Sequence, residues 1–182
     1  GENKLVNIID KQKSTKFDCV IPLSGGKDST YVLYYAVKKL GLKAICVNYD
    51  SGFQSKIAMR NMKRACEILD APLVVIKADF QERVNIVKGL LNIAKTVGIP
   101  IGICANCHNG IHSASRCVAK LHEVRTIISG TTQFERFGAN PLTGIKYSAR
   151  KLVKCNLSKI LPSLIRVSVS IGLERMRLGM PI

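Results

Sequence analysis

No tryptophan occurs among the 182 residues, and aromatic residues of all kinds make up 5%. A stacking array of the kind that reads single-stranded RNA is therefore not visible in the sequence. Acidic residues are scarce as well, 12 against 28 Lys and Arg, which leaves a formal charge of +16. That excess suits a polyanion such as RNA, and equally a solvated basic surface. No apolar run approaches the roughly 18–20 residues of a membrane span, so no membrane segment is expected. The start, Gly1-Glu2-Asn3-Lys4, has no signal-peptide apolar region. A cytoplasmic protein is the expectation, with an upstream segment missing.

What is present is a globular pattern. Hydrophobic residues reach 47% and are interrupted by charges every few positions. The length suits one α/β domain with a core of its own and is too short for two full ones. Charge is uneven: from Phe137 to Ile182 there are eight basic residues (Lys146, Arg150, Lys151, Lys154, Lys159, Arg166, Arg175, Arg177) and one acid, Glu174. Seven cysteines in a cytoplasmic chain argue against a disulfide framework and for metal or thiol chemistry in some of them. Cys19, Cys46 and Cys66 lie in apolar stretches and read as core.

Residues 17–23 form a short apolar run rich in β-branched side chains that ends in a Gly pair, the pattern of a buried strand. Helical spacing follows from Ser29 to Leu40, with Gly41 as a stop. The alternation continues with a strand at 43–48, a helix over about 54–69, a strand at 73–77 and a helix over about 82–97. Gly98-Ile99-Pro100 breaks the pattern. Residues 108–121 read as helix, 124–129 as strand, and 151–164 as a tail helix. Such alternation indicates parallel βαβ units in a doubly wound, mostly parallel sheet with helices on both faces, where ligands bind beyond the carboxyl ends of the strands. The division expected is 1–136 for the nucleotide-binding domain and 137–182 for a less regular, basic, partner-binding segment.

Ser24-Gly25-Gly26-Lys27-Asp28-Ser29 stands where the first strand becomes the first helix. Two glycines permit a backbone conformation and a close approach that Cβ atoms would block. The N–H groups of the turn and helix start then converge where the helix dipole favours an anion. Ser24 and Ser29 add hydroxyl donors, and Lys27 adds a mobile cation. Asp28 suits Mg²⁺ or the fixing of the loop. The spacing is not that of Gly-x-x-x-x-Gly-Lys-Ser/Thr. It resembles the SGGxDS signature of the PP-loop superfamily, the N-type ATP pyrophosphatases with an adenine nucleotide alpha hydrolase-like fold. The resemblance runs over about residues 17–135. It implies that the loop grips pyrophosphate, that ATP is cut to AMP and PPi, and that Lys27, Asp28 and Ser29 serve catalysis. In relatives the end of the second strand cups adenine, which would fall to Asn48, Tyr49 and Asp50. A second nucleotide loop would fall at Gly130 and Thr131, with Glu135 as a magnesium ligand or acid.

Cys104-Ala105-Asn106-Cys107 follows the Gly-Pro break and precedes the helix expected from His108. Thiolates at a helix N-terminus have lowered pKa values, and a two-residue gap lets both sulfurs face one metal. Zn²⁺ or an iron–sulfur cluster held by Cys104, Cys107, Cys117 and His108 is one reading, with Cys155 a further ligand; a redox dithiol is another, and two unligated thiols a third.

Two branches of the superfamily resemble this chain. Residues 18–31, Leu40-Gly41-Leu42 and Cys107-His108-Asn109-Gly110-Ile111 are similar to the N-acetyl sugar amidotransferases. That branch implies a sugar acceptor and ammonia from a partner protein. The tRNA thiolases, which also carry a CxxC before a helix, imply a tRNA acceptor and a sulfur donor, and match the cysteines and the charge. A module that binds nucleotide only to regulate a partner is the non-enzyme reading. A homodimer is expected.

Overall fold

Short runs of β-branched and apolar residues, covered on both sides, become parallel strands. In the computed structural model three of them form one sheet in the order β1 (Cys19–Pro22), β2 (Ala44–Asp50), β3 (Leu73–Lys77). The structure describes residues 7, 9, 16–97, 103–131, 157–177 and 179; for residues 97, 103–105 and 175 it describes the backbone alone. Both pairings are parallel, Val20 opposite Ile45 and Cys46 opposite Leu73. The protein is thus α/β, with helices around a parallel sheet. The strand expected at 124–129 is reduced, among the described residues, to one parallel bridge between Val20 and Ile127. There the Val20 N–H donates to Thr126 and its carbonyl accepts from Ile128, both at 2.9 Å. The next donor on that edge of β1 would be Pro22, which has no N–H to extend the ladder.

Two groupings of residues are compact in themselves: Gly1–Lys77 with Gly110–Gly130, and Ala78–Asn109 with Thr131–Ile182.

In the first unit, β1 leads into α1 (Lys27–Tyr34), which ends in a π-helical stretch over Tyr35–Lys39. Gly41, at φ +65, turns the chain into β2. Helix α2 (Lys56–Leu69) is capped by Ser55, whose Oγ accepts from the Ala58 N–H at 3.1 Å. Its buried residues Met62, Ala65, Cys66 and Leu69 follow helical spacing. They join Leu33 and Ala36 of the α1 region and Cys19, Ile21 and Cys46 of the sheet in one core. Tyr49, of opposite parity on β2, meets Gly110 on the other face, where an added Cβ would lie 2.4 Å from the ring. Cys19, Cys46 and Cys66 are core residues, as the sequence indicates. Burial pushes the Cys19 thiol up to about 12. Cys46 is raised by its hydrogen bond to Cys66 and then by burial.

The second unit contains α3 (Phe80–Val97), the first turns of α4 (Ile103–Leu121), and α5 (Leu157–Arg177). Asp79 caps α3 by accepting from the Glu82 N–H at 3.0 Å. That amide, followed by the Arg177 guanidinium, holds the Asp79 carboxyl below its ordinary range. The stabilisation is full above the usual Asp pKa and fades as pH falls through the lowered one. Two helices differ from their expected bounds. Helix α4 begins at Ile103 rather than His108, so both cysteines of the pair lie inside it. Helix α5 includes 157–164 of the helix expected at 151–164, whose first six residues lie outside the described residues, and runs on to Arg177. Ile160 and Val167, with Leu164 and Ile171, pack on Ile86, Leu90 and Ile93 of α3, and this spacing carries the helix past Leu164. Gly89 admits Val167, whose Cγ2 would lie 2.4 Å from an added Cβ. Pro162 sits inside α5 on its exposed side, where water can satisfy the carbonyl left without a donor. No described helix is long and apolar enough to cross a membrane.

Candidate functional site

The phosphate-loop residues form a tight turn between β1 and α1. Gly25 adopts φ +76, and Gly26 is the extended N-cap of α1, with no side chain capping the helix. The first-turn N–H groups are thus left for an external acceptor, at the positive end of the helix dipole. Ser24 and Ser29 brace the turn: their hydroxyls are 3.0 Å apart, the Ser24 N–H donates to Ser29 Oγ at 3.2 Å, and Ser29 Oγ donates to the Gly26 carbonyl at 3.2 Å. Thr30 Oγ1 donates to the same carbonyl at 2.8 Å. Lys27 is 92% exposed and its Nζ lies 3.6 Å from Asp28 Oδ1, a solvated pair that holds neither side chain rigidly.

Neighbouring elements fix the loop. The Leu23 N–H donates to Val47, and Asn48 Nδ2 donates to the Leu23 carbonyl at 2.9 Å. Asn61 of α2 reaches the Gly25 carbonyl at 3.5 Å. Gly130 passes close over the helix start: an added Cβ would lie 3.3 Å from backbone atoms of Asp28. The structure thus brings Ser24–Ser29 and Gly130 together. Thr131 falls in the other unit.

The residues expected to cup adenine are engaged otherwise. Asn48 is 2% exposed and braces Leu23, while its Oδ1 is buried with no donor among the described residues. Tyr49 is buried against Gly110. Asp50 Oδ1 accepts from the Gly52 N–H at 2.9 Å, closing a turn. A purine at this strand end would meet backbone and Asp50, not the Tyr49 ring.

A groove of about 650 Å³ opens beside the loop between α1 and α2. Tyr31, Tyr34, Asn61 and Arg64 line it together with Gly25 and Lys27. Tyr31 closes the stretch 18–31 noted above, and the other three belong to no motif. The three-residue spacing of Tyr31 and Tyr34 on α1 is the signal that could have raised them.

Of the cysteine pair, the Cys104 side chain lies outside the described residues, as do Cys155 and Glu135. Cys107 lies beside a residue that the motif did not reveal, Arg83 of α3. The Arg83 guanidinium donates to Asn106 Oδ1 at 2.5 Å and lies 3.7 Å from Cys107 Sγ. Cys117 stands ten residues farther along the same helix. A rise of about 1.5 Å per residue puts it about 15 Å from Cys107 along the axis, too far to share one ion. His108 is exposed on the helix. Among the described residues, no group of three or more His, Cys, Asp and Glu is placed to hold a metal ion.

Gly25 and Gly26 separate cleanly in a thermal test. A methyl at Gly25 would sit 2.3 Å from the Ala58 carbonyl oxygen, and its positive φ adds about 1–2 kcal/mol of strain. At Gly26 the nearest atom is Ser24 Oγ at 3.5 Å. Gly25→Ala is expected to melt well below the parent and Gly26→Ala close to it; equal melting points would contradict the turn described.

No family model matches the chain. It is 28% identical over 72 residues to an uncharacterized protein of Methanocaldococcus jannaschii, a match covering 40% of this chain and 26% of that protein. The chain thus spans about a quarter of that relative's length. Among solved structures it is similar to an NH3-dependent NAD synthetase from Campylobacter jejuni, in complex with nitrate. The TM-score is 0.44 and the identity 13%, over 98% of this chain and 93% of that one.

Proposed function

We propose that the protein is a PP-loop ATP pyrophosphatase, which cuts ATP to AMP and PPi and leaves an acceptor oxygen adenylated for displacement by a nitrogen or sulfur nucleophile. The observation that carries this reading is the turn at Gly25 and Gly26, which presents the uncapped first turn of α1 with Lys27 beside it and Gly130 above it. Amides fixed by Ser24, Ser29 and Asn48 hold an anion without rearranging, which is what a leaving pyrophosphate needs. Lys27 is free to follow the charge as it builds. Mg²⁺, when bound, neutralises phosphate charge, and the exposed Asp28 carboxylate is the loop's one group of the right chemistry to hold it. The acceptor we infer is a sugar, as in the amidotransferases, with ammonia from a partner protein and two chains working as a homodimer. The experiment is ATP consumption by protein purified without oxygen, with AMP and ADP followed separately and with bulk tRNA present or absent. AMP formed alike with and without tRNA supports the reading, and ADP overturns it.

AMP formation stimulated by tRNA would favour the second reading, tRNA thiolation. The anchoring of Asn106 and Cys107 by a buried arginine supports that alternative, since a fixed cysteine suits sulfur chemistry or a metal. If Zn²⁺ or an iron–sulfur cluster belongs to it, changing Cys104 and Cys107 both to Ser should remove the metal from protein purified without oxygen. Unchanged metal content in that double variant would take the pair out of any such site. ATP binding without turnover would support the regulatory module instead.

A further inference from the structure

We propose that the groove between α1 and α2 binds the nucleoside diphosphate part of a nucleotide-linked acceptor. Naming that ligand the acceptor rests on the adenylating reading; the groove and its chemistry do not. Tyr31 is 61% exposed and Tyr34 41%. Exposed rings side by side on one helix are costly unless something covers them. Tyr31 lies 6.3 Å from Tyr34 and 6.0 Å from Tyr35 between ring centroids, so its neighbours support it while its outer face is open. Such a face is a platform for a base.

The charge of the groove is one-sided. Among the described residues that line it, the charged ones are Lys27 and Arg64, both basic. Asn61 adds an amide, and Ala65, Ile68 and Leu69 make an apolar wall. A planar ring to stack, two cations and an amide match a base carrying a diphosphate, and the volume of about 650 Å³ lies in the range of small-ligand sites. Gly25, Gly26 and Lys27 belong to both the groove and the phosphate loop. A ligand here would therefore lie next to the pyrophosphate site, as an acceptor must to reach the α-phosphorus.

The test is titration calorimetry on the full chain, saturated with the α,β-methylene analogue of ATP, which occupies the loop but cannot be cut. UDP, CDP and GDP are titrated in turn, and then a six-nucleotide single-stranded RNA. One of the diphosphates should bind to the loaded protein. Changing Tyr31 and Tyr34 both to Ala should weaken it about tenfold or more, and Tyr31→Phe should leave it near the parent value. Arg64→Ala should cost about tenfold as well, by loss of a charge-assisted bond. The analogue should bind all these variants alike. Absence of diphosphate binding, or binding that ignores Tyr31 and Arg64, overturns the proposal. Competition between diphosphate and analogue overturns it too, because the groove would then be the ATP site. RNA binding through Tyr31 without diphosphate binding assigns the groove to a nucleic acid instead. If the analogue itself does not bind, the adenylating reading fails separately, and the same titrations on the unloaded protein still decide the groove.

Discussion

Lys27→Ala should lower the rate of AMP formation by about 10²–10³, the usual cost of removing one group that stabilises charge in the transition state. Melting temperature and secondary structure should not move. The side chain is 92% exposed, its ionic partner Asp28 is also exposed, and no residue of the core cluster is paired with it. A surface lysine lost from such a place ordinarily changes stability by less than about 0.5 kcal/mol. The separation of the two effects is the point of the experiment. On the proposed reading the fixed amides of the Gly25–Gly26 turn are in place before ATP is cut, whereas a flexible ammonium can follow charge that appears only as PPi departs. The fall should therefore lie mainly in kcat, with KM for ATP changing less. Lys27→Arg keeps the charge on a bulkier, planar head and should recover part of the rate. Turnover of Lys27→Ala close to the parent would remove the lysine from the phosphate site. A large fall in melting temperature would mean that the loop is a structural turn first.

The sheet and the loop were legible in the sequence because their signals are local. Residues 17–23, 43–48 and 73–77 are short β-branched runs, and each coincides with an observed strand to within two residues or so. The Gly pair announced a turn that only a residue free of Cβ can make, and Gly25 sits at φ +76 against the Ala58 carbonyl. Other features depend on distant partners. The run at 124–129 has strand chemistry, but its pairing is limited by Pro22, a residue a hundred positions earlier. Helix α4 starts at Ile103, so Cys-Ala-Asn-Cys, read as a motif ahead of a helix, is four residues of the helix itself. Tyr49 looked like the side chain of an adenine cup, yet its parity on β2 turns it into the core against Gly110. The tyrosines of α1 and Arg64 of α2 are some thirty residues apart, and only folding lines one groove with them. Most remote of all is the partner of Arg83, since nothing near that residue marks it for burial.

The pairing of Arg83 with Glu174 carries the second large effect. Their side chains are 2% and 7% exposed and approach to 3.5 Å, in a unit where α3 and α5 otherwise meet through Ile86, Leu90, Ile160 and Val167. A charge kept there needs its partner. Glu174→Ala takes this carboxylate from a buried guanidinium and should cost about 3–5 kcal/mol, because the desolvation penalty stays while this attraction is gone. For a chain of this size that is a fall in melting temperature on the order of 10 °C. Arg83→Met should cost a similar amount by taking this guanidinium from the buried carboxylate. The double change, Arg83→Met with Glu174→Leu, fills the same space with apolar groups and should return to within about 1–2 kcal/mol of the parent, far less than the sum of the single losses. Asn106 and Cys107 also contact the guanidinium. Variants lacking Arg83 should therefore label faster at Cys107 with a thiol reagent, even where the double change has restored stability. Melting curves for the four proteins of the cycle decide the matter. Single losses near zero would mean that the pair is hydrated and behaves as a surface contact. Strictly additive losses would mean that each residue acts through its other neighbours and not through this ion pair.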